Sequence, residues 1–544
     1  MEIVCKKDRG YKWTYLQHVH FRGYFQLENG KTFREEEAAR QISEIKSYDA
    51  FITFLKEVYG SFSIIVEHYG EVWAAVDIAR SMPLYYSSTL HCISDKVDCI
   101  LEIEAINKAD IDKYNALEMY AASYISGDRT VFDKVRQIDI GCCVCIKADN
   151  IRTDVYYCHI GEKADITRDN AIKALRDTTS RALKRIKNVI GESAIIISLS
   201  GGYDSRYLAC SLKENGFENV ICYTYGRKDS FEPKQSKLVA DALGYQWHCI
   251  YYDEMPGNLL VSREIQDYYE YAGNYDYISY IQNYYAFMEL TRRNLIPDNA
   301  VVLTGLCNDM PTGFYTPDYD TVEKYGYTIQ GCTEFLYDAR FIKFELSKQA
   351  RTVFIDRIKA DLRKRNLKVS DYETFIKVTD CLNTGYSHSR CFLHMNDVHE
   401  YFGHEWILPC WDRDLLNFWY SMPAKHRMNQ NLYETYITDY LGKQYGVGTK
   451  KVLRSVAKTE VMKKFIRSAG SLVVKSAFRL GIPVRRKTDI NNFASLEVAL
   501  YKDLNNKRAV KSKYAAVTLL LTVYFLDKRH GNGWYKQIKG FIEK

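Results

Sequence analysis

Nothing in this 544-residue sequence is apolar for long enough to cross a membrane. The longest apolar stretch, Ala515 to Leu526, includes Thr518 and Thr522 and falls well short of the roughly 20 residues a span requires; a core helix is expected there instead. The start, MEIVCKKDRG, has no apolar run behind its charges, so no secretory leader is expected and the chain is assigned to the cytoplasm. The 15 cysteines include one CxxC spacing, Cys142 to Cys145, and no second pair to complete it. That excludes a zinc ribbon, and the odd count argues against a disulfide framework; reduced, buried thiols are expected. Internal repeats and low-complexity linkers are also absent.

What is present is the composition of a soluble globular protein: 47% hydrophobic residues, 26% charged, and 45 tyrosines. The length suffices for two or three domains with sizeable cores. The formal charge of +7 is unevenly spread, because Lys450 to Lys487 holds twelve Lys or Arg against one acid, Glu460. Such a segment suits nucleotide phosphates, an anionic substrate, a membrane surface or nucleic acid, or is a solvated helical face. No RNA-binding signature accompanies it, and no nucleic-acid partner is expected.

The first 160 residues read as strands with two helices: strand patterns at Ser61–Glu67, Glu71–Asp77 and Cys142–Ala148, helical spacing at Glu35–Glu44 and Ala50–Tyr59. A helical connector, Arg168 to Ile190, follows. The texture then changes to strand Ala194–Ser198, helix Ser205–Glu214, strand Val220–Tyr225, helix Pro233–Leu243 and strand Trp247–Tyr252, with Gly216 and Gly244 as helix breakers. This β-α-β-α-β order predicts a parallel sheet covered by helices. A lone strand at Val301–Thr304 precedes a mostly helical remainder.

Between the first of these strands and its helix stands Ser200-Gly201-Gly202-Tyr203-Asp204-Ser205. Two glycines allow a tight turn and close approach to a ligand, and the new helix presents its positive dipole end. Ser200 and Ser205 add hydroxyls. The cradle suits pyrophosphate, and Asp204 at its edge would repel phosphate unless a divalent cation lay between, so Asp204 is assigned to Mg²⁺. Neither GxxxxGK[ST] nor GxGxxG is present; the form is that of the SGGxDS PP-loop of enzymes that cleave ATP between its α- and β-phosphates. A second strand ends in Thr304-Gly305-Leu306-Cys307-Asn308-Asp309. Ligands of open parallel sheets sit beyond the carboxyl ends of strands, so Asp309 is the second candidate metal ligand.

These turns, with Tyr225-Gly226, Gly403-His404-Glu405-Trp406-Ile407-Leu408-Pro409 and Asp412-Arg413-Asp414-Leu415, resemble the synthetase part of the asparagine synthetase family over about residues 170–425. The Gly403 stretch is similar to that family's GxExRxPFLD segment. In the N-terminal part, Gly60-Ser61-Phe62, Asp77, Pro83-Leu84-Tyr85-Tyr86, Gly127 to Phe132 and Gly141 resemble later landmarks of its glutaminase. The resemblance implies an α/β protein in three parts: a degenerate Ntn-hydrolase-like α+β domain (1–160), a PP-loop Rossmann-like parallel-sheet domain (161–430) and a basic helical extension (431–544).

A class II glutaminase uses an N-terminal Cys thiol with its own α-amine as base. Here residue 2 is Glu, whose bulk should prevent Met removal, and Cys5 is internal. A relic domain is expected, as in the β-lactam synthetases and lasso-peptide cyclases that the chain resembles. The resemblance further implies ATP and Mg²⁺ as cofactors. Ser200, Gly201, Gly202 and Ser205 would lie on the phosphates, Leu199 and Tyr225 near adenine, Thr304 and Gly305 over the nucleotide, and Asp204 and Asp309 on the metal. Glu405 would orient or deprotonate an amine, and a late lysine (Lys487, Lys451 or Lys458) would stabilise the acyl-transfer oxyanion.

The expected activity is carboxylate adenylylation followed by amide formation with an amine or ammonia, on a small-molecule or peptide carboxylate. The sequence departs from the family at Leu306, Cys307, Met310 and Ile407, departures that bear on the substrate and on activity itself; the sequence does not identify the carboxylate, the amine or the oligomeric state. Two alternatives stand beside this one: a catalytically silent scaffold of the same fold, and a PP-loop enzyme modifying tRNA. The four histidines His388, His394, His399 and His404 lack HExxH spacing and are expected to be structural.

Overall fold

The computed structural model describes residues 1–148, 150–341, 345–448, 489–504, 516–529 and 533–542. In chain order the N-terminal elements are β1 (Glu2–Val4), β2 (Trp13–Leu16), β3 (Val19–Gln26), β4 (Thr32–Arg34), α1 (Glu35–Ser43) and α2 (Tyr48–Glu57). β5 (Tyr59–His68), β6 (Glu71–Val76), β7 (Tyr85–Ser87), β8 (Cys92–Ser94), α3 (Val97–Ile103) and α4 (Lys113–Ala122) follow, then β9 (Val135–Gln137), β10 (Cys142–Lys147) and β11 (Asn150–Val155). One sheet runs β11-β10-β6-β5-β3-β2 with β4 beside β3, and a second runs β1-β8-β7-β9.

Strand alternation builds the layers. Phe62, Ile64 and Val66 of β5 and Trp73 and Ala75 of β6 enter the core under α1 and α2, whereas Ile65, Ala74 and Val76 enter a second core with Tyr86, Ile93 and Val144. A period of two therefore places one sheet face against helices and the other against the second sheet. The helices start where the sequence asks: Ser47 accepts from the Ala50 N–H at the head of α2, and Glu35, Glu36 and Glu37 occupy the first turn of α1, where the helix dipole favours negative charge. The result is the two-sheet α+β sandwich implied by the glutaminase-like landmarks.

After α5 (Arg168–Ile190) come β12 (Ile195–Ser198), α6 (Tyr203–Glu214), β13 (Val220–Gly226), α7 (Glu232–Leu243), β14 (Gln246–Tyr251) and, further on, β15 (Val301–Leu303) and β16 (Trp406–Ile407). All five strands are parallel, in the order β14-β13-β12-β15-β16. The chain steps outward from β12 on one side and returns to its other side with β15. β12 and β15 therefore flank a topological switch point, where strand-end loops part and leave a crevice. No helix among the described residues is long and apolar enough to cross a membrane.

Buried ion pairs tie the sandwich to the rest. Arg80 meets Asp276 at 2.7 Å with both side chains fully buried. Asp139 receives Arg365 at 2.7 Å and also Arg390, and Glu118 receives Arg357 at 2.8 Å and also Arg340. Arg22 meets Glu400 at 2.6 Å, and Lys7 lies between Asp397 and Glu400. Every one of these pairs joins a residue before 160 to one beyond 270. Desolvated charges of this kind are weak sources of net stability but costly to break singly. The four histidines of the 388–404 region are packed among them: His394 stacks on Tyr277 at 3.5 Å and bonds Asp397, and His404 meets the Ala300 carbonyl. All 15 cysteines are free thiols, and Cys158 and Cys381 face each other at 3.2 Å.

Two expectations follow. Arg80→Met should lower stability by about 3–5 kcal/mol in urea denaturation, and Arg80→Met with Asp276→Leu should recover most of that loss. Acid should destabilise the protein early. Burial lowers His159 and His399 to about 3 and His388 to about 4, against about 6.5 in the unfolded chain. The unfolded chain then binds more protons, so stability is lost as pH falls through about 6.5 toward 4. Glu118 acts in the same direction further down: burial pushes its carboxyl up, but Arg340 and Arg357 bring it to about 2. A Tm series from pH 8 to 4 should fall most steeply below about pH 6, and His159→Gln should flatten the slope.

Candidate functional site

The loop after β12 is tied by its own side chains. The Ser200 N–H donates to Ser205 Oγ at 3.0 Å, the Gly202 N–H donates to Ser200 Oγ at 3.1 Å, and the two hydroxyls lie 3.0 Å apart. The Gly201 N–H donates to the carboxylate of Glu232 at the head of α7, and the buried Arg206 reaches the Gly201 carbonyl at 3.3 Å. Burial pushes the Glu232 carboxyl up, and the Gly201 N–H draws it back. A Cβ on Gly201 would stand 2.8 Å from the Phe231 ring. Helix α6 then begins with Gly202 as its cap and no capping side chain, and with Asp204 in its first turn.

The turn after β15 comes up against this loop. A Cβ on Gly305 would stand 3.1 Å from the Asp204 main-chain oxygen, so glycine is what allows the two turns to touch. Thr304 is buried beside it, with its hydroxyl lacking a partner among the described residues. Asp204 and Asp309 are both half-buried and both bear on the Cys307 thiol, which burial and the two carboxylates push well above its usual range. They act together on the Tyr315 phenol too, raising it, after burial, to about 12. Cys307 itself holds φ at +65°, a left-handed conformation that glycine adopts without strain and a side chain does not.

A third segment closes the pair. The fully buried Tyr433 donates to Asp204 Oδ1 at 2.9 Å and accepts from Asn308 Nδ2 at 2.7 Å. Gln430 Nε2 lies 3.4 Å from Asp309 Oδ1 and donates to Thr312 Oγ1 at 2.8 Å. No motif marks Tyr433, Gln430 or Glu232; only the fold brings them here. The structure thus brings together Ser200, Gly201, Gly202, Asp204, Ser205, Thr304, Gly305 and Asp309. Leu199 is adjacent, but its side chain is enclosed in the core, leaving main chain alone to face a ligand. Tyr225, at the end of β13, is half-buried and stacked on Tyr252 at 5.0 Å.

Glu405 is placed differently from the sequence expectation. It stands one residue before Trp406, which pairs with Val302, and so at the amino end of β16 instead of the carboxyl end where the crevice lies. Its carboxylate is ion-paired with Arg34 of β4, and Tyr11 bonds the Trp406 carbonyl at 2.8 Å. The neutralising partner comes from the N-terminal sandwich, and that contact, not the crevice, sets the direction of the side chain. Ile407, one of the departures, is buried in β16 opposite Leu303, where an apolar side chain is what the packing requires. Lys451, Lys458 and Lys487 lie outside the described residues.

Oxygen donors from two turns, beside a glycine loop at a helix N-terminus, fit a hard divalent cation held jointly with phosphate. Among the described residues no three His, Cys, Asp or Glu side chains converge as a metal cage. A five-stranded parallel sheet with a glycine loop and a facing acidic turn at its switch point defines an α/β protein of the PP-loop class. The asparagine synthase family model matches residues 174–469, more than half of the chain, and the protein belongs to that family. Membership implies a ligase that forms C–N bonds with ATP.

No curated protein matches the sequence. Among solved structures, the chain is similar to a U34-tRNA thiolase, NcsA, from Methanococcus maripaludis with its 4Fe-4S cluster, at 12% identity over 61% of this chain and 78% of that one, TM-score 0.20. It is also similar to an allosteric regulatory enzyme of purine biosynthesis (11% identity, 44% and 62% covered, TM-score 0.18). A third is the glutamine phosphoribosylpyrophosphate amidotransferase from B. subtilis with ADP and GMP (10% identity, 55% and 64% covered, TM-score 0.18).

The Arg34–Glu405 pair has its own measurable consequence. Arg34→Ala and Glu405→Ala should each destabilise the protein, and the double variant should lose less than their sum, with a coupling of about 1 kcal/mol in a double-mutant cycle.

Proposed function

We propose that the protein activates a carboxylate by adenylylation with ATP and passes the acyl group to an amine or ammonia, forming an amide. The observation that supports this above all others is the close approach of the Gly305 turn to the Asp204 main chain, which brings the turn that carries Asp309 beside the glycine loop at the switch point. In this reading the phosphates displace the Glu232 carboxylate and the loop's own hydroxyl acceptors and take the N–H groups and hydroxyls of Ser200–Gly202 and Ser205, adenine lies against the Leu199 main chain and Tyr225, and Thr304 and Gly305 cover the nucleotide. The buried Thr304 hydroxyl, without a partner among the described residues, supplies a donor that ATP would satisfy. Asp204 and Asp309 would hold Mg²⁺, which supplies neutralisation of the charge that builds on the leaving pyrophosphate. A carboxylate oxygen of the substrate attacks the α-phosphorus; the amine then displaces AMP, and a lysine of the basic segment, Lys451, Lys458 or Lys487, would steady the oxyanion.

With Glu405 committed to Arg34, its part in this reading is to lock β16 to the sandwich, leaving acid–base work to other groups. We further propose the division 1–160, 161–430 and 431–544, with the first part a scaffold lacking glutaminase chemistry. The Cys5 thiol supports that view: burial, with Asp95 nearby, pushes it far above the range in which thiolate forms, so it is no substitute nucleophile. A cytoplasmic setting with small-molecule or peptide substrates and no nucleic acid remains our reading.

Exchange of labelled pyrophosphate into ATP, run against a panel of sugar acids, amino acids and peptides, tests the proposal. At least one carboxylate should elicit exchange, and Asp204→Asn and Asp309→Asn should each lower it by about 100-fold or more. Gly305→Ala should lower it by about 10- to 100-fold at nearly unchanged Tm, because the turns must move apart. Absence of exchange with every carboxylate would leave the silent scaffold standing, and glutamine hydrolysis by the purified protein would overturn the reading of residues 1–160.

A further inference from the structure

The bridge that Tyr433 makes between the two acidic turns has no counterpart in the sequence motifs. Its hydroxyl donates to Asp204 Oδ1 at 2.9 Å and receives Asn308 Nδ2 at 2.7 Å. One side chain is thereby bonded to the metal-candidate carboxylate of the first turn and to the residue immediately before Asp309 in the second. The ring is fixed from two sides, edge-on to Tyr207 at 5.4 Å and to Trp419 at 5.8 Å, so the hydroxyl has little freedom. Three residues earlier Gln430 reaches Asp309 Oδ1 and Thr312. Bringing both side chains to the same place bends the chain sharply: Asn429 and Gln430 hold φ at +56° and +59°. Two consecutive non-glycine residues in the left-handed region are strained, and such strain persists only where the surroundings impose it.

We propose that Tyr433 is a positioning residue for the divalent cation, holding Asp204 and the Asp309 turn at the separation and orientation that joint binding requires. This rests on the nucleotide-and-metal reading above and deepens it. A neutral phenol is suited to the task. It orients one carboxylate oxygen by hydrogen bonding without contributing a positive charge that would compete with the cation, whereas an arginine or lysine at the same place would neutralise the ligand it aims. Outer partners of this kind set the direction of first-sphere oxygens, and their loss costs about 10- to 100-fold in metal affinity.

The test uses the full chain with Mn²⁺ as probe, in the presence of a non-hydrolysable ATP analogue, bound metal being read by electron paramagnetic resonance, alongside the Mg²⁺ dependence of pyrophosphate exchange. Tyr433→Phe keeps the ring contacts and removes the hydroxyl. It should weaken Mn²⁺ binding and raise the half-saturating Mg²⁺ by about tenfold or more, with exchange at saturating Mg²⁺ returning to within about threefold of the parent (the recovery expected when only metal affinity is lost). Asn308→Ala should shift the same quantity in the same direction by a smaller factor. Tyr436→Phe, which removes a buried hydroxyl from the next turn of the same segment, should leave it unmoved.

A Tyr433→Phe protein with parental metal dependence and only a lowered Tm would overturn the positioning role while leaving the adenylylation reading intact. A parent chain that binds no Mn²⁺ with the analogue would overturn both.

Discussion

Buried charge pairing between the N-terminal sandwich and the helices beyond residue 270 is the constraint from which the site geometry descends. Asp139 holds Arg390, and Arg390 in turn caps the Gly385 carbonyl within the wide helical turn Thr384–Phe392. That turn carries His388, whose carbonyl faces the Cys307 thiol at 3.9 Å in the acidic turn. A carboxylate in a strand-rich part that has no expected chemistry of its own therefore bears on the position of Asp309. Arg427 extends the chain of contacts, meeting Asp380 at 2.5 Å and the Pro311 carbonyl at 2.8 Å behind the same turn. The sandwich is part of the mould, whatever catalytic past its landmarks imply.

Much of the sheet was legible because its signals are local. The apolar run Ile195–Ile197, the two glycines after it and the glycine stops of α6 and α7 each act within a few residues, and the strands and helices fall within a residue or two of where the patterns put them. β16 was not legible as a strand. Two residues, Trp406 and Ile407, have no periodicity to detect, and they are extended only because β15 offers an open edge more than a hundred positions earlier in the chain. The misplacement of Glu405 follows from the same gap. A motif gives spacing along the chain, but the end of the sheet to which a side chain belongs depends on strand register and on which charge waits nearby; here that charge is Arg34.

The departures from the family pattern divide along physical lines. Ile407 and Met310 are buried and continue the packing around them. Cys307 is different, since its φ of +65° occupies a place where glycine is the unstrained residue. Keeping a side chain there puts a neutral thiol between the two acids, close to the Tyr280 phenol, which burial together with the Cys391 and Cys307 thiols pushes up. Thiols and phenols thus crowd behind the acidic turn, and the left-handed backbone at Cys307 goes with that packing.

Glu232 gives the glycine loop a property of its own. Its carboxylate accepts the Gly201 N–H, so an acidic group of the chain itself lies against the turn. Under the proposed function, binding of a phosphate would replace one anion by another, and its strength would be a difference between two affinities. A cradle guarded in this way would favour an oligoanion that brings its own counterion over a lone acetate or sulfate.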